Sequence, residues 1–195
     1  ITLFVAFILK YLGRASNNSL SRRDAYLVVT LSWIVFSLFG TLPFTFSGYI
    51  PNFTDAYFEN MSGFTTTGAT ILDNVEALPH ALLFWRSITQ WIGGLGIVFF
   101  TVALLPSMVG GSVKVFAAEA TGPIKTKLAP KLSTSAKWIL SVYLILTVAC
   151  MGSYMFFGMN WFDALNYAMT STATGGFSTH NSSTEFFHSP AIEYM

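Results

Sequence analysis

The stretch GFTTTGATILD, residues 63–73, lies between two strongly apolar runs. It holds four threonines and two glycines and carries no charge before Asp73. That is too rich in Thr and Gly for a spanning helix and too uncharged for a loop in water. Its flanks set the frame. Tyr26–Phe46 precedes it and His80–Leu105 follows, with Pro106 expected to end the second run. A third run covers Trp138–Phe157. Each reaches the roughly 20 apolar residues a membrane helix needs. Gly40 and Pro43 near the end of the first are tolerable in a membrane helix.

Composition agrees with a membrane chain. Hydrophobic residues make up 53% of the 195 and charged residues only 10%, against about 25% charged in soluble domains. The net charge of +1 gives no global attraction for nucleic acid. The single Cys150 excludes an internal disulfide and a thiolate metal site. Charge placement is lopsided. Lys10, Arg14, Arg22 and Arg23 precede the first run, and Lys114, Lys125, Lys127, Lys131 and Lys137 separate the second from the third. The remaining connections carry Asp55, Glu59, Asp73, Glu76, Asp163 and Glu185 with no Lys or Arg. The positive-inside rule places the basic connections in the cytoplasm and the acidic ones outside. The opening ITLFVAFILKYLGR reads as the tail of a membrane helix. Ile1–Leu12 would span only about 18 Å of a core of roughly 30 Å. SPAIEYM at the other end reads as a helix beginning, so the chain is expected to be a fragment.

A repeat runs through the sequence. An offset of 108 residues aligns DAYFENMSGFTTTGAT with DALNYAMTSTATGGFS. Asp55 meets Asp163, Ala56 meets Ala164, Met61 meets Met169, Thr66 meets Thr174 and Gly68 meets Gly176. Both copies follow an outward-running span, and Pro190 opens a return span as Pro79 precedes the one at His80. The first ten residues of each copy read as helix, with Thr54 as a candidate cap and Asp55 in the first turn. Phe53 and Trp161 suit the membrane interface. Ten helical residues reach about 15 Å, half of the hydrocarbon core. The chain then returns through Thr- and Gly-rich backbone, which at that depth must be buried in protein or line a cavity. Stacked backbone carbonyls can replace the water shell of a cation. Glycine permits the backbone angles this needs, and threonine adds a stiff hydroxyl. No carboxylate lies in Thr65–Thr70 or Thr172–Ser178, which suits a monovalent ion.

YFENMSGFTTTGATIL, LPHALLFWRSITQWIGGLGIVFF and AMTSTATGGFSTH together resemble the TrkH branch of the Trk/Ktr/HKT potassium transporters. AEATGPIKTKLAPKLSTSAK resembles that family's cytoplasmic linker. The resemblance implies an all-α polytopic membrane protein built from repeats of helix, pore helix, re-entrant filter strand and helix, as in K⁺ channel pores. It implies four such repeats around one K⁺ path in the bacterial cytoplasmic membrane. The first filter strand is then Thr65, Thr66, Thr67, Gly68 and Ala69, and the second Ala173, Thr174, Gly175, Gly176 and Phe177. Backbone carbonyls of Thr66, Thr67, Gly68, Thr174, Gly175 and Gly176 would hold K⁺. The implied divisions are a truncated helix and cytoplasmic loop over 1–25, a first pore repeat over 26–105, a linker over 106–137 and an incomplete second repeat over 138–195. The family also implies a homodimer and a cytoplasmic nucleotide-binding TrkA-type regulatory subunit. The chain departs from the pattern by stopping before the second repeat is complete, so it could not close the ring alone.

Arg86 sits two turns into an apolar helix and needs a partner. Two readings stand: it braces the filter through Glu59 or the carbonyls ending the pore helix, or it snorkels to the interface. Gly93, Gly94 and Gly96 in WIGGLGI suit close helix approach, with gating flexibility as the other reading. Glu119 and the linker lysines form a solvated face or a docking surface. His80, His180 and His188 lack metal-ligand spacing and read as surface residues. No paired carboxylates or nucleophile–base set argues for an enzyme, and no organic cofactor is implied. The rival is a secondary transporter whose broken helices bind a small or Na⁺-coupled solute. Its usual mark is inverted repeats, whereas these copies are parallel.

Overall fold

The computed structural model describes residues 11, 13, 22–119 and 132–194. It is helical throughout, with no strand among the described residues. In chain order the helices are α1 (Arg22–Gly40), α2 (Leu42–Ser47), α3 (Phe53–Phe64), α4 (His80–Glu119), α5 (Leu132–Phe156), α6 (Trp161–Thr172) and α7 (Pro190–Glu193). Single 3₁₀ turns cover Val75–Ala77 and Ser183–Phe187. Three segments are long and apolar enough to cross a membrane: Tyr26–Ser47, His80–Phe99 and Ala136–Phe156. The N-terminal tail, with Lys10 and Arg14, and Lys125, Lys127 and Lys131 of the linker lie outside the described residues.

The first span is broken near its end, and the sequence explains the break. Pro43 has no N–H, and Phe44 N donates to Thr41 O at 3.0 Å rather than to the carbonyl four residues back. The Gly40 carbonyl is thereby released, and Trp85 Nε1 of α4 donates to it at 3.0 Å. Gly40 also lacks the Cβ that would collide with the Asn60 side chain of α3. The short helix is thus seated directly in the kink of the span before it.

Pro106 does not end the second span, contrary to expectation: α4 continues to Glu119. One proline removes a single intrahelical hydrogen bond, and the bonds on either side carry the helix on. The stretch expected as a linker, 106–137, therefore begins inside α4 and ends inside α5.

The two short helices are matched. α3 and α6 are 12 residues each and begin 108 residues apart. Thr54 is not the cap of α3. Asn52 holds that place in extended backbone, and its side chain accepts from Thr54 N at 3.0 Å. Asn160 does the same for α6, accepting from Asp163 N at 2.9 Å. The helix starts earlier than expected, so the capping carbonyl falls to the asparagine. Helix α3 packs between α1 and α4, and α6 between α4 and α5, so α4 is the wall both repeats share.

Two apolar clusters close the outer ends. Phe44, Ile50, Ala56, Val75, Leu78, Leu82 and Leu83 form one, with Phe162 of the other repeat packed on it. Tyr154, Met159, Ala164, Tyr167, Ala168 and Ile192 form the second. Between them the most deeply buried large side chains are polar: Arg86, Gln90, Glu59, Asn60 and Asn166. Buried polar groups are the informative exception in any core. Outward, α1 and α5 expose Leu27, Val28, Leu31, Phe36, Val142, Ile145 and Val148. An apolar surface of this kind suits lipid or further protein.

Candidate ion-coordinating segments

Each short helix ends in a Schellman turn. Thr66 N donates to Gly63 O and Thr67 N to Ser62 O, both at 3.0 Å. In the second copy Thr174 N donates to Ser171 O at 2.9 Å and Gly175 N to Thr170 O at 2.8 Å. This motif needs a left-handed residue just past the cap, usually glycine. Here Thr66 and Thr174 occupy it, each with φ 55°. A β-branched residue in that region is a genuine outlier and marks stored strain. Gly68 and Gly176 follow at φ 75° and 84°.

These turns decide where the carbonyls face. In a trans peptide the N–H of one residue and the C=O of the residue before it point in opposite directions. Thr66 and Thr67 aim their N–H groups back at the helix, so the Thr65 and Thr66 carbonyls are directed away from it. The same holds for Ala173 and Thr174. The two segments also touch: a Cβ on Gly68 would collide with the Gly175 carbonyl. In the second, Thr174 and Gly176 are exposed while Ala173, Gly175 and Phe177 are buried, the alternation of an extended chain with one open face.

Arg86 lies behind both segments. It is 2% exposed, so it does not snorkel. Its Nε donates to Glu59 Oε1 at 2.8 Å, and its Nη1 donates to the Ser178 carbonyl at 3.0 Å. The guanidinium also stands 4.2 Å from the centre of the Phe177 ring. Glu59 in turn accepts from Thr70 Oγ1 and from Ile71 N, each at 3.0 Å. One buried ion pair thus holds the outgoing end of both segments. Bidentate and charge-assisted contacts of this kind fix geometry as well as energy.

Sequence reasoning missed the outer latch. Asn181 Oδ1 accepts from Val75 N at 2.8 Å, its Nδ2 donates to Asn74 Oδ1 at 2.9 Å, and its backbone N donates to Glu76 Oε1 at 3.1 Å. His180, expected on the surface, is only partly exposed; its Nε2 lies 3.0 Å from Asp163 Oδ2 and its ring stacks on Phe186 at 3.6 Å. Thr179 Oγ1 donates to Asp163 Oδ1 at 2.7 Å. Burial alone pushes the Asp163 carboxyl up, but hydrogen bonds from Thr179, His180 and Asn160 outweigh it and hold it below the usual aspartate range. Missed too was Gln90, fully buried on α4, whose Oε1 accepts from Phe177 N at 3.1 Å. Asn181 and His180 lie roughly a hundred residues from their partners, and Gln90 looked like any polar residue in a packed helix. The three glycines of WIGGLGI do serve close approach. A Cβ on Gly93 would strike the Phe64 carbonyl, one on Gly94 would come within 3.0 Å of Ala173, and one on Gly96 would touch Trp33 at 3.4 Å. Among the described residues no group of His, Cys, Asp and Glu side chains is arranged to hold a metal ion.

Parallel helix–half-helix–return-segment–helix units with a buried polar centre and apolar outer faces define a polytopic membrane protein of the pore-repeat class. The family model for TrkH, cation transport protein, matches residues 1–195. The chain belongs to that family. It is 43% identical over 197 residues to the Trk system potassium uptake protein TrkH of Halomonas elongata, covering 100% of this chain and 41% of that protein. It is also 43% identical over 195 residues to the TrkH of Escherichia coli K12, covering 98% and 40%. The crystal structure of the potassium transporter TrkH from Vibrio parahaemolyticus superposes with a TM-score of 0.83 at 37% identity, over 98% of this chain and 38% of that one. The chain therefore spans about two fifths of the length of these relatives.

Proposed function

We propose that this chain supplies two of the repeats lining a potassium-selective uptake path across the bacterial cytoplasmic membrane. In this reading Thr65–Ala69 and Ala173–Phe177 are filter segments, and the carbonyls of Thr66, Thr67, Gly68, Thr174, Gly175 and Gly176 coordinate K⁺. The carrying observation is the pair of Schellman turns, 108 residues apart, that aim successive carbonyls away from their helices in two touching segments. The neutral oxygens suit a monovalent ion that must also leave. Each short helix presents its C-terminal dipole toward the site, which favours a cation. The names of the relatives, potassium uptake proteins, supply the ion. Arg86 and Glu59 act as filter support. The work is transport and needs no organic cofactor. The parallel copies, matched down to their turn hydrogen bonds, favour a pore over the inverted repeats of a secondary transporter.

The charge distribution puts both filter loops outside and the Lys-rich connection in the cytoplasm. There the family resemblance places a nucleotide-binding TrkA-type regulatory subunit, and it implies a homodimer in the bilayer. The test is ion flux into liposomes holding the whole polypeptide that contains these residues. Uptake should prefer K⁺ over Na⁺, and Gly68→Ser should erode that preference. Equal K⁺ and Na⁺ flux in the unsubstituted protein, or a Gly68→Ser variant with unchanged preference, would sink the reading.

A further inference from the structure

The two filter segments are fixed in the same way over their first half and differently over their second. In the first copy the pore helix itself reaches round: Glu59 of α3 takes Ile71 N. At the position 108 residues on, α6 carries Tyr167, and its segment is held from α4 instead. Arg86 takes the Ser178 carbonyl, and one turn along the same helix Gln90 takes Phe177 N. The first repeat's return helix therefore sets the second repeat's segment.

We infer that Gln90 is a positioning residue for ion selection, and that its acceptor oxygen aims the Gly176 carbonyl into the ion path. The inference rests on the filter reading above. With Phe177 N–H turned into Gln90 Oε1, the Gly176 C=O of the same planar peptide must point the opposite way. Gly176 has φ 84° and nothing within 4 Å of where its Cβ would be. No packing contact at that Cβ holds the peptide, so the hydrogen bond to Gln90 is what fixes its rotation. The amide also fills the space beside Gly175, where a Cβ would collide with it. Side chain and glycine are therefore fitted to each other.

Stability does not explain this glutamine. Its Nε2 is buried without a protein partner. A buried donor left unmet costs about 1–3 kcal/mol, so an apolar side chain of equal volume would serve packing as well or better. Retaining the amide makes sense through the acceptor it offers to one peptide.

The experiment compares Gln90→Met and Gln90→Glu with the unsubstituted whole polypeptide in liposomes, reading the K⁺/Na⁺ flux ratio and the thermal midpoint. Methionine keeps the volume and removes the strong acceptor. Glutamate keeps an acceptor oxygen whether or not burial holds it protonated. Gln90→Met should lower the ratio about tenfold, the scale of one unpaired buried amide, while its midpoint stays level or rises. Gln90→Glu should keep the ratio within about twofold, because its acceptor remains. A Gln90→Met ratio equal to that of the unsubstituted protein overturns the inference, and so does a collapsed ratio in Gln90→Glu. If Gln90→Met does not fold, Gln90→Leu takes its place and Gln90→Glu still decides. An unsubstituted protein that does not prefer K⁺ would instead overturn the filter reading, so the two failures are told apart.

Discussion

Gly68 and Gly176 are glycines for different reasons, and the difference can be measured. Both hold left-handed backbone, which costs another residue about 1–2 kcal/mol. Only at Gly68 would a Cβ also strike a neighbouring carbonyl. Gly68→Ala should therefore reduce K⁺/Na⁺ discrimination in liposome flux more than Gly176→Ala does, by roughly tenfold or more against a severalfold loss. Equal effects would show that the contact with Gly175 does not matter. Arg86 is the second residue of consequence. Arg86→Gln leaves Glu59 charged and buried with only Thr70 and Ile71 for company. Breaking such a pair costs about 3–5 kcal/mol. The expected result is a lower thermal midpoint and a weakened preference for K⁺. Flux and preference both unchanged would dismiss the brace.

At the scale of elements, α4 is the part on which the others depend. Its Gly93 meets the last turn of α3 and its Gly94 meets the start of the second segment. Gly93→Ala would push a methyl group into the Phe64 carbonyl, and the helices would have to separate. Overpacking of this kind costs about 1–3 kcal/mol, to be read as a fall in thermal midpoint in detergent; an unchanged midpoint would mean the contact is slack. The α6 latch has its own signature. Asp163 has its pKa lowered in the folded state, so its contribution is fully present above the unfolded value of about 3.9. It is lost as pH falls through the folded value. Asp163→Asn should flatten the acid limb of stability against pH in the range below about 4, and an identical limb would remove Asp163 from the account.

Over the whole molecule, polar groups lie at the centre and apolar side chains face outward. That is the reverse of a soluble domain and suits a bilayer around an ion path. The orientation follows from where the lysines and arginines fall. In a Cys150→Ser background, Ser182→Cys should react with an impermeant thiol reagent added outside cells. Lys137→Cys should react only after the membrane is opened. The opposite pattern would invert the proposed topology.

The spans were legible in the sequence because hydrocarbon thickness imposes a length and a composition. The repeat was legible because the left-handed positions at Thr66, Gly68, Thr174 and Gly176 restrict which residues fit, so identities survive at the same offset. The Arg86–Glu59 partnership was legible as one of two options, since a cation deep in an apolar helix demands a partner. Cap and helix ends were less so. Asn52 rather than Thr54 caps α3, and Pro106 does not stop α4, because one lost hydrogen bond does not outweigh a continuing helix. Sequence alone determined the membrane class, the span order and the paired Thr/Gly segments, all consequences of local backbone chemistry and hydropathy. Only the tertiary structure decided that Gln90 and Arg86 of one repeat hold the segment of the other, and that Asn181 latches the loops outside. Those contacts join residues roughly ninety to a hundred positions apart, and no local pattern encodes which distant peptide a buried amide will meet.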